Sequence, residues 1–288
     1  KQKRKCFRFL FSLYNPEREV FMKILFVSLG CDKNLVDTEV MLGLLAEKGH
    51  QMVDSEEMAD VIVVNTCCFI HDAKEESIQT ILEMAEYRKE GRCKALIVTG
   101  CLAQRYKQEI LDEIEEVDAV LGTTSYDKIV DAIEEALKGQ KSLEMTDIDA
   151  LPLVDSKRVV TTGGHFAYLK IAEGCDKHCT YCIIPKIRGN FRSVPMERLI
   201  KEAEALVEQG VKELILVAQE TTLYGKDIYG EKSLPRLLKE LCKISGLRWI
   251  RILYCYPEEI TDELIQVIKE EDKICNYLDL PIQHASNG

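Results

Sequence analysis

Three stretches of this chain end the same way. "ILFVSLG" is followed by Cys31, "DVIVVNT" by Cys67 and "KALIVTG" by Cys101. Each is a short apolar run rich in β-branched residues, without the alternation of a strand that has one wet face, and each leads into an amphipathic stretch of helical period. "DAVLG" supplies a fourth run, and the helical patterns cover 33–48, 72–90, 105–116 and 126–138. Strands buried on both faces and separated by helices predict a doubly wound α/β domain over 22–140, of the flavodoxin or Rossmann kind. The cysteines recur at intervals of 36 and 34 residues, one βα unit each. Carboxyl ends of parallel strands share one sheet edge, and open α/β sheets bind ligands outside that edge, so Cys31, Cys67 and Cys101 are expected to converge there. Core packing is the alternative, since free cysteine is often buried. It does not explain why all three stand one step beyond a strand.

Residues 141–164 mix Pro, Asp, Ser and Gly without a sustained period and read as a linker, with room for a short strand. A second alternating series fills 165–288: "FAYLKIAEG", a helix over 195–209, "ELILVAQE", a helix over 233–244, "RWIRILYC", a helix over 258–270, and "YLDLPIQ". Strands and helices in that order predict an incomplete, truncated β/α barrel of the TIM type. Residues 1–21 are basic, then briefly apolar, then polar, with no small-residue cleavage site, so we read them as an unstructured leader upstream of a natural start at Met22. The stop directly after an apolar run reads as the loss of a C-terminal portion.

Composition narrows the class. The 288 residues are 46% hydrophobic and 30% charged, with no apolar run near the roughly 20 residues that cross a bilayer, so no membrane association is expected. A net charge of −11 argues against a broad nucleic-acid-binding surface. Twelve cysteines without an export signal point to a reducing, cytoplasmic setting and to metal-bound or core thiols rather than disulfides.

The densest cysteine group lies on the loop after the first strand of the second series, where barrels place their chemistry. "EGCDKHCTYCIIPKIRG" sets Cys175, Cys179 and Cys182 in a C-x3-C-x2-C spacing. A pair of thiols would suit a redox couple and four would close a structural zinc site. Three leave one corner open, as an iron–sulfur cluster with a ligand-binding iron requires. A zinc knuckle completed by His178 is the alternative, strained by the adjacency of His178 to Cys179.

The C-x3-C-x2-C loop, with Tyr181 before its last cysteine, resembles the radical S-adenosylmethionine (SAM) enzymes. "SLGCDKNLVDTE", "VVNTCCFIHDAKEES", "VTGCLAQRY", "EGCDKHCTYCIIPKIRGNFRS" and "LDLPIQHAS" together resemble the methylthiotransferases within them, over about residues 22–288. The words are closest to the branch that modifies ribosomal protein S12, the RimO type. The tRNA-modifying branch typically has "YGCQMN" where this chain has "LGCDKN". Cys68 departs from the pattern, where the branch usually has glycine; Cys67 is chosen as the ligand because it directly follows "NT".

The resemblance implies two [4Fe–4S] clusters, one on Cys31, Cys67 and Cys101 and one on Cys175, Cys179 and Cys182, the second binding SAM. It implies no catalytic side chain beyond these ligands. One SAM would donate a methyl group to sulfur at the first cluster. Another would be cleaved at the second to a 5′-deoxyadenosyl radical, which opens an unactivated C–H bond for the methylthio group. The substrate carbon would be the β-carbon of an aspartate of ribosomal protein S12, and electrons would come from a flavodoxin- or ferredoxin-like donor. Tyr181 would lie against the SAM adenine. Gln219 and Glu220, after the second barrel strand, would meet its ammonium group, with a helix-cap role as the alternative. Gln283 and His284 are rim candidates for cofactor or substrate, or a structural pair. Arg188 and Arg192 can position anions, although loop arginines are usually solvated. Family members carry a further C-terminal TRAM domain, which this sequence lacks. Other readings are the tRNA adenosine branch, a radical enzyme whose extra cluster only carries electrons, and a non-catalytic metal-binding module.

Overall fold

The computed structural model describes residues 22–152 and 157–282. The leader, Gln283 and His284 lie outside the described residues. The chain divides into two compact units, Lys1–Val159 with Lys186–Arg188, and Val160–Pro185 with Gly189–Gly288.

The first unit is built on a six-stranded parallel sheet. Its strands are β1 (Lys23–Ser28), β2 (Gln51–Val53), β3 (Val61–Thr66), β4 (Ala95–Gly100), β5 (Ala119–Leu121) and β6 (Ser142–Glu144), in the order β2-β1-β3-β4-β5-β6. Helices α1 (Asp32–Glu47), α2 (His71–Glu90), α3 (Cys101–Tyr106), α4 (Gln108–Glu113) and α5 (Ile129–Leu137) connect them. Every residue of β3 and β4 is buried, which is why these segments read as unbroken apolar runs. Ile24, Met41, Val63, Ile97, Leu121 and Ile133 belong to one core on the helix-covered face. The chain leaves β1 toward β2 on one side and returns as β3 on the other. That reversal makes the carboxyl ends of β1 and β3 a topological switch point, where such sheets form their ligand crevice.

β2 and the helix after β4 differ from the sequence expectation. β2 and β6 are half-exposed edge strands of three residues each, too short to show a period. β6 is a short strand inside the linker, where the sequence leaves room for one. The helix expected over 105–116 starts at Cys101, directly after Gly100, and breaks at Lys107, whose φ is +47°.

The second unit carries a four-stranded parallel sheet of β7 (Phe166–Lys170), β10 (Glu213–Val217), β11 (Trp249–Ile252) and β12 (Ile274–Leu278), adjacent in chain order. Helices α7 (Met196–Glu208), α9 (Leu234–Cys242) and α10 (Asp262–Glu270) make the crossovers. Leu169, Leu199, Leu214, Leu237 and Ile250 form their shared core. After β7, a short antiparallel pair, β8 (Ala172–Glu173) with β9 (Arg192–Ser193), clamps the base of the cysteine loop. That loop contains α6 (Ile184–Arg188); α8 (Lys226–Tyr229) follows β10. The fourth strand corrects the expected 277–283: Ile274 and Leu278 pair with Ile250 and Ile252, whereas Leu280 and Ile282 are exposed and face no core.

Candidate functional site

The first site grows out of strand register. Ser28 pairs with Asn65, and Thr66 with Gly100, so β1, β3 and β4 end at nearly one height. Cys31, Cys67 and Cys101 follow within three residues of those ends. The peptide groups freed there are tied down by side chains. Asn34 donates its amide to Leu29 O at 3.0 Å and Thr66 O at 2.9 Å, and Asn65 donates to Asn34 O at 2.9 Å. Thr66 Oγ1 donates to Thr99 O at 2.6 Å and accepts from Leu102 N at 3.2 Å. Ser77 Oγ donates to Cys67 O and accepts from Cys67 N, at 2.7 and 2.9 Å. This polar web, which periodicity does not reveal, ties the three loops together; its sequence signal is the Asn or Thr just inside the ends of β3 and β4.

The thiols come together on this frame. Cys31 is exposed and Cys67, Cys68 and Cys101 are buried. Burial pushes the Cys101 thiol up to about 12, and Cys31 and Cys67 are near enough for their charges to oppose its ionisation further, against the guanidinium of Arg188. Burial also raises Cys67 and Cys68. The two adjacent cysteines face differently. Cys67 Sγ stands beside Gly30, whereas Cys68 Sγ donates to Cys101 O at 3.2 Å.

Gly30 makes that approach possible. Its φ is +89°, and a Cβ there would sit 2.7 Å from Cys67 Cβ and 3.1 Å from Cys67 Sγ. Gly30→Ala is therefore expected to cost about 2–4 kcal/mol, combining left-handed strain with overpacking. Gly49→Ala, at φ +87° with nothing within 4 Å, should cost only the strain, about 1–2 kcal/mol. Urea unfolding of the two variants checks the difference; equal losses would remove the Cys67 contact from the account.

The second constellation lies on the loop between β8 and β9. Cys175, Cys179 and Cys182 are partly exposed, His178 is exposed, and Tyr181 is 74% exposed. Cys175 N donates to Gly189 O at 3.1 Å, Cys179 N to Lys177 O at 2.9 Å and Cys182 N to Cys179 O at 3.0 Å, folding the loop into tight turns. Lys177 N donates to Cys175 Sγ at 3.4 Å. Burial raises Cys175, with the Cys182, Glu220 and Cys179 charges adding to it.

Beside it, past the carboxyl end of β10, sits a polar cluster. Gln219 donates from Nε2 to Glu173 Oε1 at 3.0 Å. Glu220 is 1% exposed and accepts from Thr222 Oγ1; burial pushes its carboxyl above the usual range. Lys177 Nζ lies 3.7 Å from Glu220 Oε2, 3.1 Å from Glu259 Oε1 and 4.1 Å from the Tyr256 ring centroid. Among the described residues no donor bonds the buried atoms Gln219 Oε1 and Glu220 Oε2, an arrangement suited to a ligand that brings N–H donors. The helix-cap alternative does not describe Glu220, since α8 begins after Gly225. Neither arginine is solvated: Arg188 and Arg192 are 2% and 8% exposed. No motif marks Lys177, Tyr256 and Glu259, because their convergence comes from separate loops.

Both trios consist of soft thiol donors of the kind that holds iron–sulfur clusters, and the second adjoins buried acceptors, so the residues fit such groups. Among the described residues, no three His, Cys, Asp or Glu side chains close into a single-ion site. No helix among them is long and apolar enough to cross a membrane.

Residues 23–122 match the model of the Uncharacterized protein family UPF0004, and 169–288 that of the Radical SAM superfamily. The chain is 68% identical over 266 residues to the ribosomal protein uS12 methylthiotransferase RimO of Lachnoclostridium phytofermentans, covering 92% of this chain and 60% of that protein. It is 54% identical over 267 residues to the protein of the same name from Clostridioides difficile, covering 93% and 60%. It thus spans 60% of the length of these curated relatives. In fold it is similar to the radical SAM methyltransferase TsrM of Kitasatospora setae, with a TM-score of 0.58 at 10% identity over 92% of this chain and 60% of that one. The cobalamin-dependent SAM radical enzyme OxsB gives 0.55 at 12% identity, over 92% and 44%. With its thiol-bearing α/β unit and its cysteine-loop unit each matched by a family model, the chain belongs to the methylthiotransferase family of radical SAM enzymes, in the RimO-type branch.

Proposed function

We propose that this chain is the cluster- and SAM-binding part of a cytoplasmic transferase that installs a methylthio group on the β-carbon of an aspartate of ribosomal protein S12. In this reading the α/β domain runs over 22–140 and the barrel begins at 165. Cys31, Cys67 and Cys101 hold one [4Fe–4S] cluster; Cys175, Cys179 and Cys182 hold the other. The bound clusters and SAM supply the methyl group, the reductive cleavage and the radical that breaks the C–H bond, chemistry that no side chain provides.

The protein's own contribution is placement. Asn34, Asn65, Thr66 and Ser77 fix the loops that present the first trio, and the β8–β9 clamp fixes the second. Glu220 and Gln219 offer buried acceptors to the SAM ammonium group, and Tyr181 offers an exposed ring to the adenine. Gln283 stays a candidate from sequence alone. Electrons come from a flavodoxin- or ferredoxin-like protein.

The observation that carries the reading is the meeting of Cys31, Cys67 and Cys101 at the switch-point edge of the first sheet, because an electron-transfer or knuckle role needs no such crevice. Iron and acid-labile sulfide in anaerobically purified protein, with mass spectrometry of S12 and tRNA from a strain lacking the gene, test it. We expect sulfide-containing iron, and S12 without its methylthio group. Zinc without sulfide would leave a binding module, and a change confined to tRNA adenosine would give the substrate to the sister branch.

A further inference from the structure

The first unit keeps a buried cation against its thiols. Arg188 belongs to the segment Lys186–Arg188 that groups with this unit, and Thr123 Oγ1 anchors the segment by donating to Ile187 O at 2.9 Å. The guanidinium is 2% exposed; Nη1 binds Asp37 Oδ2 at 2.9 Å and Nη2 binds Asn34 Oδ1. The same Asn34 oxygen lies 3.7 Å from Cys101 Sγ. The positive charge opposes the effect of burial on Cys67, Cys68 and Cys101 alike.

A buried Arg–Asp pair gains little stability over a packed apolar pair, so stability alone gives a weak reason for it. Charge gives a stronger one. Three thiolates entering this crevice carry negative charge that an iron–sulfur core offsets only in part, and reduction adds one more unit. A fixed guanidinium favours the more negative state, and its planar fork keeps the charge in place.

We propose that Arg188 is a positioning residue of this site: held by Asp37 and Asn34, it supplies the counter-charge for a cluster on Cys31, Cys67 and Cys101 and raises that cluster's reduction potential. The inference rests on the reading that these cysteines hold a cluster. The test separates the two. In a full chain carrying Cys175→Ala, Cys179→Ala and Cys182→Ala, all iron belongs to the first site, and paramagnetic resonance follows its titration with dithionite and mediators. One electron enters and no bond forms or breaks.

Arg188→Gln should disfavour the reduced form at least about tenfold, a potential lower by about 59 mV for one electron, while Arg188→Lys stays within about threefold of the parent. Because Arg188→Gln alone strands Asp37, the neutral pair Asp37→Asn with Arg188→Gln is measured beside it, with circular dichroism as the folding check. Its potential should fall in the same direction. Loss of iron from the folded neutral pair, with iron retained in Arg188→Lys, would equally support the charge requirement. An unchanged potential in the folded, iron-loaded neutral pair would overturn the role of Arg188 and leave the cluster in place. A parent chain that binds no iron would overturn the cluster reading itself.

Discussion

Under the proposed function, replacing Cys31, Cys67 and Cys101 together by alanine should abolish methylthio transfer while leaving SAM cleavage intact. The reason is geometric. The three side chains arise from three strand ends of one sheet, and Cys175, Cys179 and Cys182 from one loop with the β8–β9 pair at its base. The turn hydrogen bonds of Cys175, Cys179 and Cys182 run to Gly189, Lys177 and Cys179, and none of them involves Cys31, Cys67 or Cys101, so removing the first three thiols should leave these turns in place. The expected protein binds about half the iron of the parent, since each site takes one thiolate per ligated iron. It should still release 5′-deoxyadenosine and methionine when reduced with SAM. The reciprocal variant, with Cys175, Cys179 and Cys182 replaced, should keep the other half of the iron and release neither. Iron analysis and chromatography of the SAM products check both. Loss of all iron and all cleavage from the first variant would contradict the independence of the sites.

Raising the pH should destabilise the iron-free chain, and Cys101 is one of the buried acids responsible. Its thiol ordinarily ionises near 9.0 and is pushed up to about 12 by burial at the base of the crevice. Below 9 both folded and unfolded chains keep this proton. Between 9 and 12 the unfolded chain releases it while the folded chain does not, so unfolding gains about 1.4 kcal/mol per pH unit, to a total of about 4 kcal/mol. The stabilising proton is thus fully present below pH 9 and its contribution fades above it. Urea unfolding of the iron-free parent and of Cys101→Ala, at pH 7.5 and 10.5, isolates the effect. The parent should lose about 2 kcal/mol more than the variant over that interval. Parallel losses would mean that Cys101 is not among these buried acids. The same burial bears on loading: a ligating thiolate must shed its proton, so metal binding at this site should release protons and strengthen with pH.

Much of this molecule could be read from the chain alone. The runs "DVIVVNT" and "KALIVTG" announce central strands because burial on both faces leaves no polar position until the strand ends, and Cys67 and Cys101 mark those ends. The C-x3-C-x2-C loop is local, so its spacing alone carries its chemistry. The edge strand Gln51–Val53 is invisible in the sequence, and Ser142–Glu144 shows only as room for a short strand, because three half-exposed residues have no period. The apolar run "YLDLPIQ" misplaces the fourth barrel strand because it does not say which of its residues face a core; the pairing of Ile274 and Leu278 with β11 does.

The sequence by itself determined that each of three strands is followed within three residues by a cysteine, since strand identity is set by near neighbours along the chain. Tertiary structure decided what those cysteines share. Asn34 and Asn65 stitch loops 31 residues apart, Gly30 yields space to Cys67, and Asp37 and Asn34 grip Arg188 across more than 150 positions. Charge and hydrogen bonding act through space rather than along the chain, so a guanidinium that looked solvated in a loop becomes the buried neighbour of thiols only once the polypeptide has closed around it.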